Sequence, residues 1–178
     1  PDILNSPTAG ETARKLFDDA QVMLTRLVDE KWLRASGVFG LFPANALPDD
    51  SIEVYTDETR SQVRTLLHNL RQQTEGRAGT HRKSLADFVA PKETGLHDYV
   101  GAFAVTGGLG AGDRITAFKA ELDDYSAILL ESLADRLAEA FAERMHERVR
   151  KEFWGYAPDE QLGNEELIRE KYLGIRPA

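Results

Sequence analysis

The chain has 178 residues, 42% of them apolar and 29% charged, with no cysteine and a formal net charge of −8. That is enough chain for one domain with a real core, and it excludes disulfides, a thiolate nucleophile and a cysteine zinc site. The acidic balance argues against nucleic acid, and no apolar run or leader argues for a membrane, so a reducing, cytoplasmic setting is expected. Pro1 opens the sequence and Ile175-Arg176-Pro177-Ala178 closes it abruptly. The expectation is a single domain over residues 1–178, cut from a longer polypeptide at both ends.

In chain order, an entry loop with Pro7 and Gly10 leads into a helix from Glu11 to about Arg34. Ala13, Leu16, Phe17, Ala20, Leu24, Leu27 and Val28 recur at three and four and make one apolar face. Thr8 is a candidate N-cap and Gly37 a candidate stop. The apolar run from Gly37 to Pro43 and the alternating Ser51 to Thr56 predict an antiparallel hairpin. Val63, Leu66, Leu67 and Leu70 predict a second helix over 57–73. Leu85 to Val89 is a short apolar piece ended by Pro91. Asp98 to Thr106 is the best strand candidate, and its near-continuous apolarity predicts burial on both faces. A glycine-rich loop over 107–112 follows.

From Asp113 to about Phe153 the pattern is helical, broken near Asp123-Asp124. Its second part carries the strongest repeat, through Leu130, Leu133, Leu137, Phe141, Met145 and Val149. Trp154 to Pro158 ends it, and Asn164 caps a last helix running to Tyr172. Helices and strands mix without βαβ alternation. The class is therefore α+β, a small, mainly antiparallel sheet flanked by helices, with one long helix near the C-terminus.

Few groupings carry chemistry by pattern alone. Asp135, Glu139 and His146 fall within about 40° of each other on the long helix. Such a flank can be solvated surface, or it can bind a metal, hold a cation or relay protons. Gly107 to Gly112 sits where a phosphate loop would, yet lacks both the GxGxxG spacing and the Gly-Lys-Ser/Thr ending, and reads as a strand-to-helix turn. His68, His81 and His97 are scattered, and no serine sits in a nucleophile elbow. The aromatics Phe153, Trp154, Tyr156 and Tyr172 can pack a nucleoside or close a core.

An ordered set of stretches resembles the C-terminal activation domain of cobalamin-dependent methionine synthases. They are Gly40-Leu-Phe-Pro-Ala-Asn45, Tyr55-Thr-Asp-Glu-Thr-Arg60, Leu70-Arg-Gln-Gln-Thr-Glu75 and Leu85-Ala-Asp-Phe-Val-Ala-Pro-Lys92. Asp98-Tyr-Val-Gly-Ala-Phe-Ala-Val-Thr-Gly-Gly108, Ala134-Asp-Arg-Leu-Ala-Glu-Ala-Phe-Ala-Glu143 and His146-Glu-Arg-Val-Arg-Lys151 continue it. Trp154-Gly-Tyr-Ala-Pro158, Asn164-Glu-Glu-Leu-Ile-Arg-Glu170 and Gly174-Ile-Arg-Pro-Ala178 complete it.

The resemblance implies a C-shaped α+β domain with a twisted antiparallel sheet, part of a methyltransferase of methionine biosynthesis and not active alone. When cobalamin is oxidised to cob(II)alamin, such a domain docks over the cobalamin-binding domain of the same polypeptide. An electron comes from flavodoxin or a flavoprotein reductase, and S-adenosylmethionine donates a methyl group to restore methylcobalamin. Cobalamin is held by the neighbouring domain, and zinc only in another module. By the same resemblance, Arg176, Pro177 and Ala178 bind S-adenosylmethionine, Glu139 lies near its sulfonium, and Glu170 lines the site. Asp135 contacts the cobalamin domain, and His146 gains no role. In the family the Arg-Pro-Ala segment continues into Pro-Gly-Tyr-Pro, and an acid on a preceding strand also contacts the ligand; both lie outside this sequence.

Two rival readings stand beside this one. One is a docking module for the cobalamin domain and the reductase that binds no ligand itself, with Arg144, Arg148, Arg150 and Lys151 as a basic patch. The other is a metal site on Asp135, Glu139 and His146.

Overall fold

The computed structural model describes residues 3–73 and 82–174. A short 3₁₀ turn (Ile3–Asn5) precedes helix α1 (Gly10–Asp29). Strands β1 (Arg34–Ala46), β2 (Ser51–Tyr55) and β3 (Val63–His68) follow, then two 3₁₀ turns (Leu85–Phe88 and Lys92–Thr94) and strand β4 (Asp98–Leu109). The chain finishes with α2 (Ala111–Ala120), α3 (Asp124–Arg148), a π turn (Val149–Phe153) and α4 (Asn164–Ile168). The strands form one sheet in the order β3-β2-β1-β4, antiparallel where β2 meets β1 and β3. The α+β expectation holds.

The chain packs as two compact units. One comprises residues 1–38 and 104–178, the other 39–103. In the helical unit Met23 and Leu27 of α1 meet Leu129 and Leu130 of α3 and Trp32. Leu133, Leu137, Ile115 and Phe118 close around them. Of the apolar face read from α1, Ala20, Leu24 and Leu27 join this core, whereas Leu16, Phe17 and Val28 stay exposed. α1 ends earlier than expected because Lys31 takes a left-handed conformation (φ 52°). Its N-cap is Ala9, not Thr8, with Ser6 Oγ accepting from the Ala9 N–H at 3.3 Å. Gly37, expected as a stop, lies within β1.

α3 runs close to β4. A Cβ on Gly107 would sit 2.7 Å from the backbone nitrogen of Ala138, so only glycine admits this approach. The expected break before α3 is present, with the Asp123 carboxylate capping the Ser126 N–H at 3.0 Å.

The sheet unit has a smaller core of Ala44, Ala46, Ile52, Ala86 and Val89. Arg60 ties it together. Its guanidinium lies 5.5 Å from the Tyr55 ring and 5.4 Å from the Tyr99 ring. It donates to the carbonyls of Ala44 (3.1 Å) and Asp98 (2.7 Å) and to Asn45 Oδ1 (2.7 Å). Arg71 similarly pairs with both Asp50 and Asp87.

Three further expectations are corrected. Residues 57–73 form a turn and β3, not a helix: Asp57 accepts from the Thr59 N–H and hydroxyl, Arg60 is left-handed (φ 53°), and Ile52↔Leu67 and Val54↔Thr65 pair across the sheet. Leucine spacing mimicked a helix that the turn chemistry forbids. β4 is an edge strand and mostly exposed or half-buried, not buried on both faces. The glycine-rich loop shrinks to one residue, since β4 continues to Leu109 and Gly110 (φ 100°) turns directly into α2.

Candidate functional site

α3 places the expected site residues because its small residues, Ala134 and Ala138, face β4 and turn the intervening charged side chains outward. Asp135 and Glu139 lie one turn apart on this outer flank, and both are exposed. Glu139 pairs with Arg136 at 2.9 Å, an i,i+3 pair with both side chains well solvated. Glu170 lies just past α4 in a left-handed conformation (φ 55°), its N–H donating to the Leu167 carbonyl at 2.9 Å. Arg176, Pro177 and Ala178 lie outside the described residues.

His146 does not join the acidic flank. It is buried (7% exposed), whereas Asp135 and Glu139 face solvent. Among the described residues no three His, Asp or Glu side chains gather as a metal cluster. The helical angle was right, but α3 passes from solvent into packing before it reaches His146.

His146 belongs instead to a buried polar group that the pattern did not reveal. Arg150 Nη1 lies 2.7 Å from His146 Nδ1. A guanidinium only donates, so Nδ1 accepts and the imidazole proton sits on Nε2. Arg150 also grips Glu160 with two bonds, Nε to Oε2 at 2.8 Å and Nη2 to Oε1 at 2.6 Å. The guanidinium lies 4.4 Å from the Tyr172 ring centre, and His146 meets the same ring edge-on at 5.1 Å. Burial, then the adjacent Arg150 charge, pushes the His146 pKa down to about 4, with Glu160 opposing. The Glu160 carboxyl is held below its usual range by its hydrogen bonds to Arg150. One sequence signal was available: His146 and Arg150 are four apart and so are neighbours on one helical face.

Local backbone chemistry builds this group. At the end of α3 the Trp154 N–H reaches back five residues to the Val149 carbonyl (2.9 Å), giving the π turn. The Ala157 N–H then bonds the Arg150 carbonyl at 2.9 Å, and the chain brings Glu160 under Arg150. α4 begins at Asn164, with Gly163 as the cap position and Glu166 accepting the Gly163 N–H at 3.0 Å. It stops at Ile168 instead of continuing to Tyr172, which lies in a bend and packs on the Arg150 guanidinium.

The basic patch of the docking reading is neutralised. Arg144 pairs with Glu147, Arg148 with Glu152, Arg150 with Glu160 and Lys151 with Glu147. Among the described residues no helix is long and apolar enough to cross a membrane.

The family model for the vitamin B12-dependent methionine synthase activation domain matches residues 1–178. The chain belongs to this family. A solved structure of the MetH reactivation domain bound to AdoHcy is similar over 100% of this chain, with 58% identity and a TM-score of 0.88. The chain spans 54% of that one, so about half the length of the protein it matches. The α+β fold with its open four-stranded sheet agrees with that membership.

Proposed function

We propose that this activation domain binds S-adenosylmethionine and presents its methyl group to a cobalamin held by a neighbouring domain. The observation that carries the reading is the similarity, over the whole chain, to a reactivation domain bound to AdoHcy, the demethylated form of that ligand. Bound S-adenosylmethionine supplies an electrophilic methyl on a sulfonium, and a cobalamin reduced through flavodoxin or a flavoprotein reductase accepts it.

The residues present fit a zwitterionic, sulfonium-bearing ligand. Glu139 attracts the positive sulfur. Its partner Arg136 is solvated, and exposed pairs of this kind hold by about 0–1 kcal/mol, so the carboxylate turns to a ligand at little cost. Glu170 lines the same site. Arg176 grips the ligand carboxylate through its fork of N–H donors, with Pro177 and Ala178 against the ligand. Asp135, a turn before Glu139, faces the cobalamin domain. These groups orient the ligand; none acts as acid or base.

Calorimetric titration of S-adenosylmethionine into the intact protein tests the reading. Binding is expected, with Arg176→Ala weakening it at least about tenfold, the usual order for a charge-assisted hydrogen-bond pair. No binding by the unaltered protein would overturn the reading. Equal affinity for Arg176→Ala would remove that residue alone from the site.

A further inference from the structure

We propose that residues 156–174 form a strap latched to the end of α3 by Arg150, His146, Glu160 and Tyr172, and that a proton on His146 Nδ1 releases it while the rest of the helical unit stays folded. The proposal does not depend on the ligand-binding reading above.

Three observations carry it. The first is how the strap is held. Over residues 156–174 only Ala157 and Tyr172 are buried, and α4 buries no residue. The Ala157 N–H donates to the Arg150 carbonyl at 2.9 Å, and the Tyr172 ring lies 4.4 Å from the Arg150 guanidinium. The Glu160 side chain, 7% exposed, grips the same guanidinium with two bonds. These anchors all meet Arg150. Little apolar area is covered elsewhere along the strap, so opening it costs far less than unfolding the unit. The second observation is that the strap closes on itself. Tyr156 Oη donates to the Leu173 carbonyl at 3.3 Å, which joins its two ends and lets it move as one piece. The third is the chemistry of the latch. Arg150 Nη1 lies 2.7 Å from His146 Nδ1. A guanidinium only donates, so a proton on Nδ1 removes this bond and sets two cations against each other. Arg150, Glu160 and Tyr172 face the imidazole, with Tyr156 beside Arg150 and Glu160. Both Glu160 oxygens are already held by Arg150 and are not free to receive an imidazolium. In the open strap the ring meets water and takes a proton at its ordinary value. In the closed strap it titrates at about 4 instead of 6.5. Opening is therefore constant above about pH 6.5 and grows as pH falls towards 4.

The test is amide hydrogen exchange of the intact protein at pH 7 and pH 5, with rates corrected for the intrinsic effect of pH on exchange. The expected result is that protection of the Ala157 amide and of the α4 amides falls about twentyfold between the two, the ratio that pKa values of about 4 and 6.5 give. Amides of α1 and of the middle of α3 should keep theirs. His146→Gln supplies a side-chain carbonyl that still accepts from Arg150 but does not titrate. It should keep the strap protected at pH 7 and lose the response to acid. Glu160→Gln is the second variant and guards against a His146→Gln chain that does not fold. It weakens the grip on Arg150 and should lower strap protection at pH 7 already, with α1 unchanged. Strap amides that exchange freely at pH 7 overturn the latch, as does unchanged protection in Glu160→Gln. A fall at pH 5 that α1 and α3 share equally, or that His146→Gln retains, overturns the release by His146, and so does the absence of any fall.

Discussion

The two ends of α3 follow opposite rules. Its middle carries Asp135 and Glu139 into solvent, with only a surface partner for Glu139. Its last turn and the π turn beyond carry His146 and Arg150 into a nearly dry pocket with Glu160 and Tyr172. Charges on the flank are free to meet a ligand because they contribute little to folding. Charges at the buried end are committed to the fold.

Removing one partner at the buried end should have the largest effect. Arg150→Ala leaves Glu160 without its guanidinium and is expected to cost about 3–5 kcal/mol in denaturant unfolding. Arg150→Met combined with Glu160→Leu should recover most of that, because it removes both charges. A small loss for Arg150→Ala would break the contrast between the two ends.

Acid comes next. His146 has its pKa lowered to about 4 from 6.5 by burial and Arg150. Between those values the unfolded chain binds the proton and the folded chain does not. Stability contributed by the neutral imidazole is therefore complete above about pH 6.5 and falls away as pH drops towards 4, by up to about 3 kcal/mol. Unfolding curves of the unaltered protein and His146→Gln, compared across this window, should converge towards acid. Parallel curves would show that the ring is not held neutral.

The smallest effect on stability belongs to the flank. Glu139→Gln should change unfolding free energy by less than about 0.5 kcal/mol, as expected for an exposed pair. It should still weaken S-adenosylmethionine binding by roughly fivefold, the worth of about 1 kcal/mol of attraction to a sulfonium. A large loss of stability would erase the distinction drawn here.

How legible each part was follows from range. α1, the β1–β2 hairpin, β4 and the break at Asp123 were readable, because hydrophobic period and local caps encode them. β3 was not, since its leucines match a helical spacing and only pairing with β2 makes it a strand. Spacing grouped Asp135 and Glu139 with His146, which burial separates from them, and the roles proposed for the two acids rest on the family resemblance. The Arg150–Glu160–Tyr172 group was missed because its members are separated by ten and twelve residues and by a π turn.

The sequence by itself determined the α+β class, the long helix and the acidic flank, because side-chain periodicity is a property of a few adjacent residues. Tertiary structure alone decided which polar residues lose their water. A histidine and an arginine four apart look like any helix surface until Glu160 and Tyr172, brought back by the turn beyond α3, close over them. Desolvation is set by the neighbours a fold supplies, and these neighbours are not adjacent in the chain.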